Sequence, residues 1–583
     1  MKNINIKEVE SAIAKAKSYI FSNQYDDGRW QGTIYYNAYP TAVMLILNKM
    51  ANISTPEWEK KALEWIEENQ RSDGSWFLLD KAQSNHPHLE EYDIENMLEV
   101  KASTARNTVA CLLALELFDG NKEKINKAKL YLKDIDKSLI DPFTIIFLAY
   151  FDRWSWGDLE IPPIEVLLFP NNSKLGINRV IPAWIRDAAI GALVYKTYQE
   201  KKLLWSPLRK LAIKKGIRLL LNNQLSNGSW FGTFQPTVYP LLALKEYGYN
   251  NDDDCIKKAY AFLDSRKDQS KGYVHRFNLP VWDTGLTLLS LLADGSERKS
   301  KIRNACNFLF RAQTNEFIWG FAPEVTLYPD SDDTSVSMRA LIEAGYPKEH
   351  FSKTSDWLLK MQNDDGGWPA FIKNQAKKKK GTLPTTVEDS LVILRDPSVA
   401  DITGHVVSAL GTIGYTLKNK QIRKAIDFLL SDQLECGAWY GRWGLCYLYG
   451  TTRVLNGLLA VEFDMSNLQV QKAIQWLIES QNNDGGWGEH YISYFRESYA
   501  GTGNSTPCQT GWVIDTLVKI LGVNHDSVQK GIGYLLKNQL KNGNWDSPAT
   551  VGALEIYENT NYSSIFPLLG LGTYYKYRTK HEK

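Results

Sequence analysis

One punctuation mark recurs eight times along this chain and narrows what it can fold into. A glutamine closes a stretch with helical apolar spacing, and a tryptophan follows six residues later. The copies are Gln24–Trp30, Gln70–Trp76, Gln224–Trp230, Gln313–Trp319, Gln362–Trp368, Gln433–Trp439, Gln481–Trp487 and Gln539–Trp545. Six copies carry Asn-Gly or Asp-Gly before the tryptophan, the copy at Gln433 keeps only the glycine, and the copy at Gln313 lacks the turn. Segments such as DWLLKMQ and AIQWLIESQ place apolar residues on one helical face. Asn/Asp-Gly supplies the left-handed residue that stops a helix. The tryptophan is then expected to pack back over the start of the next helix. The glutamine amide is expected to hydrogen-bond the backbone there and stack on the indole. Spacings of about fifty residues recur, room for two helices and their loops. Period and composition together predict an all-α chain of stacked helical hairpins, open as a solenoid or closed as an α/α barrel. The repeat tryptophans read as structural staples.

Charge and composition remove several function classes. The 583 residues carry 68 Lys and Arg against 66 Asp and Glu, without the basic excess of a nucleic-acid binder. Residues 1–24 form a Lys/Glu/Ala-rich amphipathic pattern with no apolar signal-peptide core. No apolar run reaches transmembrane length; the best candidate, 183–196, carries Arg186 and Asp187. The six cysteines have no CxxC pair and read as reduced, mostly buried thiols of a cytoplasmic protein. Phosphate-binding glycine loops and an HExxH zinc motif are missing from the sequence.

Four short segments stand outside the repeat. Tyr328–Thr334 (YPDSDDT) puts Asp330, Asp332 and Asp333 within four residues. Like charge and burial would force one of them to keep its proton; a metal site or a solvated acidic turn are the alternatives. Asp401 and His405 lie four apart, on one helix face, a spacing that can orient an imidazole. Trp439–Thr451 (WYGRWGLCYLYGT) and Leu279–Gly285 (LPVWDTG) are the others.

These segments, with the Gln–Trp copies, resemble the squalene–hopene and oxidosqualene cyclases, the triterpene branch of the class II terpene cyclases. YPDSDDT is similar to the family's DxDDT motif and favours the hopene-forming branch. Further similar blocks are Phe234-Gln-Pro236, Ala183–Arg186 and Tyr499–Trp512 (YAGTGNSTPCQTGW). The resemblance runs from about residue 15 to Tyr577. It implies two α/α barrels, one inserted into the other: an inserted barrel at 25–275, and a catalytic barrel at 276–583 completed by residues 1–24. It implies Asp332 as the donor of a proton to a terminal alkene, flanked by Asp330 and Asp333. His405 would hydrogen-bond the acid and, as imidazolium, strengthen it, with Asp401 holding the histidine. Tyr449 would join the water network that reprotonates the acid. Trp184, Trp282, Trp443, Phe321, Phe371, Phe234 and Tyr562 are implied as substrate-contacting aromatics. Aromatic faces stabilise a migrating carbocation without quenching it, and a dry cavity excludes water. The resemblance implies no metal, no cofactor and a linear polyprenyl substrate, squalene or a relative.

Two departures bear on the product. Phe371 stands where hopene-forming relatives carry tyrosine. Near the C-terminus, Val551, Glu555 and Asn559 replace aromatic positions expected to stabilise late cations. Fewer rings than hopene, or another substrate, follow as an expectation. The resemblance also implies peripheral or monotopic contact with the cytoplasmic side of a membrane. Leu203–Leu208, beside Arg209, Lys210, Lys214 and Lys215, is the candidate patch, whereas Lys377–Lys380 reads as a solvated loop. A homodimer stays open. Rival readings are a class II diterpene cyclase acting on a prenyl diphosphate, a zinc prenyltransferase-like or glycosidase-like barrel, and a non-catalytic α/α-barrel binding scaffold.

Overall fold

The computed structural model describes residues 4–581 other than 78–97, 172, 174, 201–205, 297–299, 377–394, 495, 547–549 and 553–555. Of the positions singled out above, Leu203–Trp205, Lys377–Lys380 and Glu555 therefore lie outside the described residues, as does the side chain of Val551. The chain divides into two compact units, Met1–Thr33 with Asn278–Lys583, and Ile34–Phe277.

The first unit is built from helices α1 (Ile6–Ser22), α2 (Pro280–Leu292), α3 (Ser300–Ala312), α4 (Ser331–Glu343), α5 (Ser352–Met361), α6 (Ala400–Thr412), α7 (Lys420–Asp432), α8 (Tyr447–Ala460), α9 (Leu468–Glu479), α10 (Pro507–Leu521), α11 (Asp526–Lys537) and α12 (Tyr562–His581). The even-numbered helices pack each on the next, and α12 packs back on α2, so the ring closes. The odd-numbered helices lie behind this ring, with α1 behind α12. Burial explains the two layers. In α6 every residue from Ala400 to Leu410 is buried, as an inner helix covered all round requires. In α7 only one face is buried, chiefly Ile422, Ala425, Ile426, Phe428 and Leu429. A closed α/α barrel, not an open solenoid, is the result. One small antiparallel hairpin, Thr550–Gly552 with Ile556–Asn559, pairs Val551 with Tyr557.

The second unit repeats the plan. Helices Tyr39–Ala51, Leu98–Leu117, Pro142–Tyr150, Ala183–Gln199 and Phe234–Tyr247 form its inner ring. Pro56–Glu68, Lys122–Lys133, Pro207–Asn223 and Asp254–Asp264 lie outside that ring.

The repeat is a hydrogen-bonded staple, and all eight copies share it. Each indole Nε1 donates backwards to the carbonyl ten residues earlier, on its own helix: Trp30 to Ile20, Trp76 to Ile66, Trp230 to Leu220, Trp319 to Leu309, Trp368 to Leu358, Trp439 to Leu429, Trp487 to Leu477 and Trp545 to Leu535. The glutamine amide also has a definite partner in seven copies. Its Nε2 donates to the turn glycine's carbonyl and to a carbonyl of another outer helix, as Gln362 does to Gly366 and Gln421, both at 2.8 Å. The helix has already ended at or just before the glutamine. The glycine closes the following turn, a correction to the helix-stop role expected of it.

In those seven copies the glycine has φ between +88° and +100° and sits against a helix backbone. A Cβ on Gly366 would lie 2.3 Å from the Lys424 carbonyl oxygen. In the copy at Gln313, Phe317 takes this position at φ +63°. The same two backbone bonds close its turn (Thr314 N–H to Ile318 O, Phe317 N–H to Thr314 O). The Thr354 hydroxyl donates to the Phe317 carbonyl at 2.7 Å. So the turn missing from that sequence is present in the structure. It forms in spite of the left-handed penalty on a bulky residue.

Candidate active site

The staples also aim the functional segments. In the first unit the peptide N–H of five repeat tryptophans donates to a threonine hydroxyl near the start of an inner helix. The pairs are Trp30 to Thr284 of α2, Trp319 to Thr334 of α4, Trp368 to Thr403 of α6, Trp439 to Thr451 of α8 and Trp487 to Thr510 of α10. Four of these threonines belong to the four segments read above. Each segment is thus the N-terminal end of an inner helix, tied to a staple, and the five ties put the chemistry at one end of the ring.

Asp330, Asp332 and Asp333 are all buried, which excludes a solvated turn. Asp330 caps α4, accepting from the Asp333 N–H at 2.7 Å. Burial and mutual repulsion push Asp333 well up, and burial with the Asp332 charge pushes Asp330 up. These two carboxyls hold a proton between them. Asp332 is pushed up to about 7 by burial, against the pull of the Arg453 guanidinium. Its Oδ1 is 2.5 Å from His405 Nδ1. Among the described residues no group of three or more His, Cys, Asp or Glu side chains is placed to hold a metal ion.

His405 meets Asp332, and its surroundings disfavour the imidazolium form. Burial, Arg453 and Arg339 hold its pKa well below the ordinary histidine range, and Asp401 offsets this only in part. Of the two ways to place one proton in this pair, the neutral imidazole with a protonated Asp332 is favoured over the imidazolium. Asp401 does not hold the ring. Its Oδ2 accepts from the Trp443 N–H at 2.8 Å, and among the described residues its Oδ1 has no hydrogen-bond partner. It acts on His405 through charge alone and fixes Trp443 instead.

Aromatic rings form a closed circuit around this pair. Trp282 lies 5.9 Å from the His405 ring, His405 lies 5.9 Å edge-on to Tyr449, and Tyr449 lies 5.0 Å from Trp512. Trp512 lies 5.3 Å from Phe566, and Phe566 lies 4.9 Å from Tyr562. The Trp282 Nε1 donates to the Tyr562 hydroxyl at 2.5 Å and closes the loop. α2, α6, α8, α10 and α12 each contribute, and α4 supplies Asp332. Phe371 and Trp443 form an edge-to-face pair at 6.2 Å. The Phe371 amide is held, with those of Ala370 and Ile372, by the buried Asp396 carboxylate. Phe321 is buried, its carbonyl accepting from the Val281 N–H. Trp184 and Phe234 belong to the second unit, where each stands at the N-terminal end of an inner helix.

The structure adds Trp512, Phe566 and Arg453 to the residues read from sequence. Trp512 closes the quoted block Tyr499–Trp512 and was available as a signal there. Phe566 and Arg453 carry no motif of their own. Asn559, which stands where an aromatic was expected, donates to Asp283 Oδ1 at 2.8 Å. Asp283 also accepts from the Gly32 N–H and is pushed up to about 7 by burial.

A squalene–hopene cyclase C-terminal domain profile matches residues 278–576, and the N-terminal domain profile matches 13–86 and 193–267. A squalene–hopene cyclase of Alicyclobacillus acidocaldarius is 29% identical over 96% of this chain and 97% of its own length. Sporulenol synthase of Bacillus subtilis is 34% identical over 64% of this chain and 62% of its own length. Among solved structures, the ent-copalyl diphosphate synthase of Streptomyces platensis superposes with a TM-score of 0.59 at 17% identity. It covers 97% of this chain and 99% of its own. At that identity the likeness concerns the fold.

Proposed function

This chain belongs to the squalene–hopene cyclase family, and from that premise we propose that Asp332 launches its reaction by protonating a terminal alkene of squalene or a related linear polyprenyl chain. It is a protonation-initiated terpene cyclase of the class II type. The observation that carries the residue assignment is the Asp332–His405 pair. Asp332 is buried, its pKa is raised to about 7 so that it holds its proton up to neutral pH, and its Oδ1 is bonded to His405 while, among the described residues, no hydrogen bond is recorded to its Oδ2. A neutral His405 with its hydrogen on Nδ1 donates to Asp332 Oδ1, and the acid proton sits on Oδ2.

Transfer breaks the Oδ2–H bond and forms a C–H bond at one alkene carbon, leaving the positive charge on the other. An alkene is a feeble base, so the acid must be held protonated and dry until substrate arrives. The Asp330–Asp333 pair serves this end by keeping negative charge nearby. Trp282, Tyr449, Trp512, Phe566 and Tyr562 present faces that stabilise cations and are poor nucleophiles. Trp443, Phe371 and Phe321 extend the aromatic wall in this reading. For Trp184 and Phe234 a substrate-contacting role rests on the family resemblance alone.

Asn559 supports a shortened cascade. Its amide is committed to Asp283, so the position offers no aromatic face to a late cation. We therefore assign a product with fewer than five rings. Incubating the purified protein with squalene and identifying products by mass spectrometry tests this. Partly cyclised triterpenes are expected, abundant hopene would overturn the ring number, and turnover of geranylgeranyl diphosphate in place of squalene would overturn the substrate class. No described helix is long and apolar enough to cross a membrane. Contact with one leaflet through the helix Pro207–Asn223 is part of the same proposal.

A further inference from the structure

We propose that Arg453 is the positive charge that backs Asp332 when it gives up its proton, the part otherwise expected of an imidazolium at His405. The inference rests on the reading of Asp332 as the acid. Arg453 lies on α8 one turn after Tyr449, and its guanidinium stands 5.1 Å over the Tyr449 ring. Tyr449 is edge-on to His405, which bonds Asp332. The α8 backbone at Arg453 lies directly against Gly404, the residue before His405. A Cβ on Gly404 would be 2.7 Å from the Arg453 carbonyl. The arginine is therefore built into the wall behind the acid.

Its charge is met in part by Asp515. Arg453 is only 7% exposed, and among the described residues its Nε and Nη2 have no hydrogen-bond partner. The nearby Asp515 is occupied: it accepts from Lys519 Nζ at 2.8 Å and from the Thr573 hydroxyl at 2.7 Å. α4 contributes Asp330, Asp332, Asp333 and Arg339 to this neighbourhood. α6 contributes Asp401 and His405, α8 Tyr449, α10 Asp515 and Lys519, α2 Asp283, and α12 Tyr562. The Asp330–Asp333 pair and Asp401 are negative influences on Asp332, and neutral His405 supplies no charge to balance them. A guanidinium does not surrender its proton in a protein, even when burial disfavours it. In a poorly screened interior its field reaches Asp332 without direct contact. When the O–H bond breaks, the new carboxylate keeps the His405 hydrogen bond and gains a counter-charge already in place, so little reorganisation is needed.

The test uses the full-length enzyme with Arg453→Gln and Arg453→Lys, and Asp332→Asn as reference. Infrared difference spectra against pH, parent minus D332N, isolate the Asp332 carboxyl stretch without any substrate. Its midpoint is expected to move up by a unit or more in R453Q and to stay in place in R453K. With squalene in detergent micelles, R453Q is expected to lose about ten- to hundredfold in kcat at neutral pH. The alkaline limb of its profile should shift upward and its KM should change little, and R453K should restore most of the rate. An unmoved Asp332 midpoint in R453Q would overturn the role of Arg453. Should R453Q not fold, Arg453→Met, which also removes the charge, takes its place: a raised Asp332 midpoint supports the role and an unmoved one overturns it. If D332N turns over squalene like the parent, the acid assignment itself falls. If D332N is inactive and the charge-removing Arg453 variants are unshifted, only this inference falls.

Discussion

Asp332 carries the sharpest consequences at the scale of single residues. Replacing it with asparagine keeps an oxygen to accept from His405 Nδ1 but removes the acid, so activity should fall by about two to four orders of magnitude. The same change should stabilise the fold, in a pH-dependent way. An unfolded aspartate ionises near 3.8, whereas burial raises Asp332 to about 7 in the native state. Below about pH 4 both states bind the proton and nothing is lost. Between about 4 and 7 the unfolded chain releases a proton that the folded chain keeps, and stability declines. Above 7 the cost has reached its plateau, on the order of 4 kcal/mol. Differential scanning calorimetry should show D332N melting a few degrees above the parent at pH 8 and level with it at pH 4. Equal melting at both pH values would mean that burial does not disfavour the Asp332 carboxylate.

The residue scale is also where sequence reading ran out. Asp332 and His405 were legible because a motif names them. Arg453 was not: it follows YLYGTT without any pattern, and its weight comes from burial and from Asp515 being taken by Lys519. The lowered pKa of His405 was equally hidden, since it depends first on burial and then on Arg453 and Arg339, far from it in the chain. Asp401 at i−4 promised a bond to His405, but the Trp443 amide lies closer to its carboxylate.

At the scale of elements, two close approaches by glycine make separable predictions. Gly366 closes a staple turn at φ +96° with the Lys424 carbonyl 2.3 Å from any Cβ. Gly366→Ala should lower stability by about 2 kcal/mol or more, through clash and left-handed strain together. Activity at a temperature where the variant is folded should change little, because Gly366 faces Lys424 on the outer helix α7. Gly404 lets α6 and α8 meet beside His405. Gly404→Ala should push those helices apart, lengthen the Asp332–His405 contact and cut kcat at least tenfold while KM holds. Thermal melting combined with steady-state kinetics separates the two cases, and a G366A variant that loses kcat while folded would contradict them. The staples themselves were legible as a repeat. Their direction was not, because the indole–carbonyl bond spans ten residues back along one helix and leaves no spacing signal beyond the tryptophan itself. Nor did the threonines of the four segments announce that they receive the Trp peptide N–H.

At the scale of the whole molecule, the repeat period admitted both an open and a closed stack, and only packing decides between them. α12 must meet α2, and Tyr562 must reach Trp282 across 280 residues of chain. Nothing local encodes that distance. The same scale holds the remaining surface question. On helix Pro207–Asn223, Ala212, Ile213, Gly216, Ile217 and Leu220 are buried, which leaves Leu208 at 60% and Leu211 at 55% exposure on the outward side. Lys210 and Lys214 are exposed among them. Two outward leucines ringed by lysines suit the boundary between acyl chains and anionic headgroups better than they suit water. Leu208→Glu with Leu211→Glu should therefore reduce co-sedimentation with vesicles containing anionic lipid by about tenfold or more. Turnover of squalene delivered in detergent micelles should stay near the parent value, since neither residue lies in the catalytic unit. Vesicle binding that survives the double change would place the lipid contact elsewhere. A double variant that instead shifts from dimer to monomer on gel filtration, with vesicle binding intact, would make these leucines a contact between two copies of the chain.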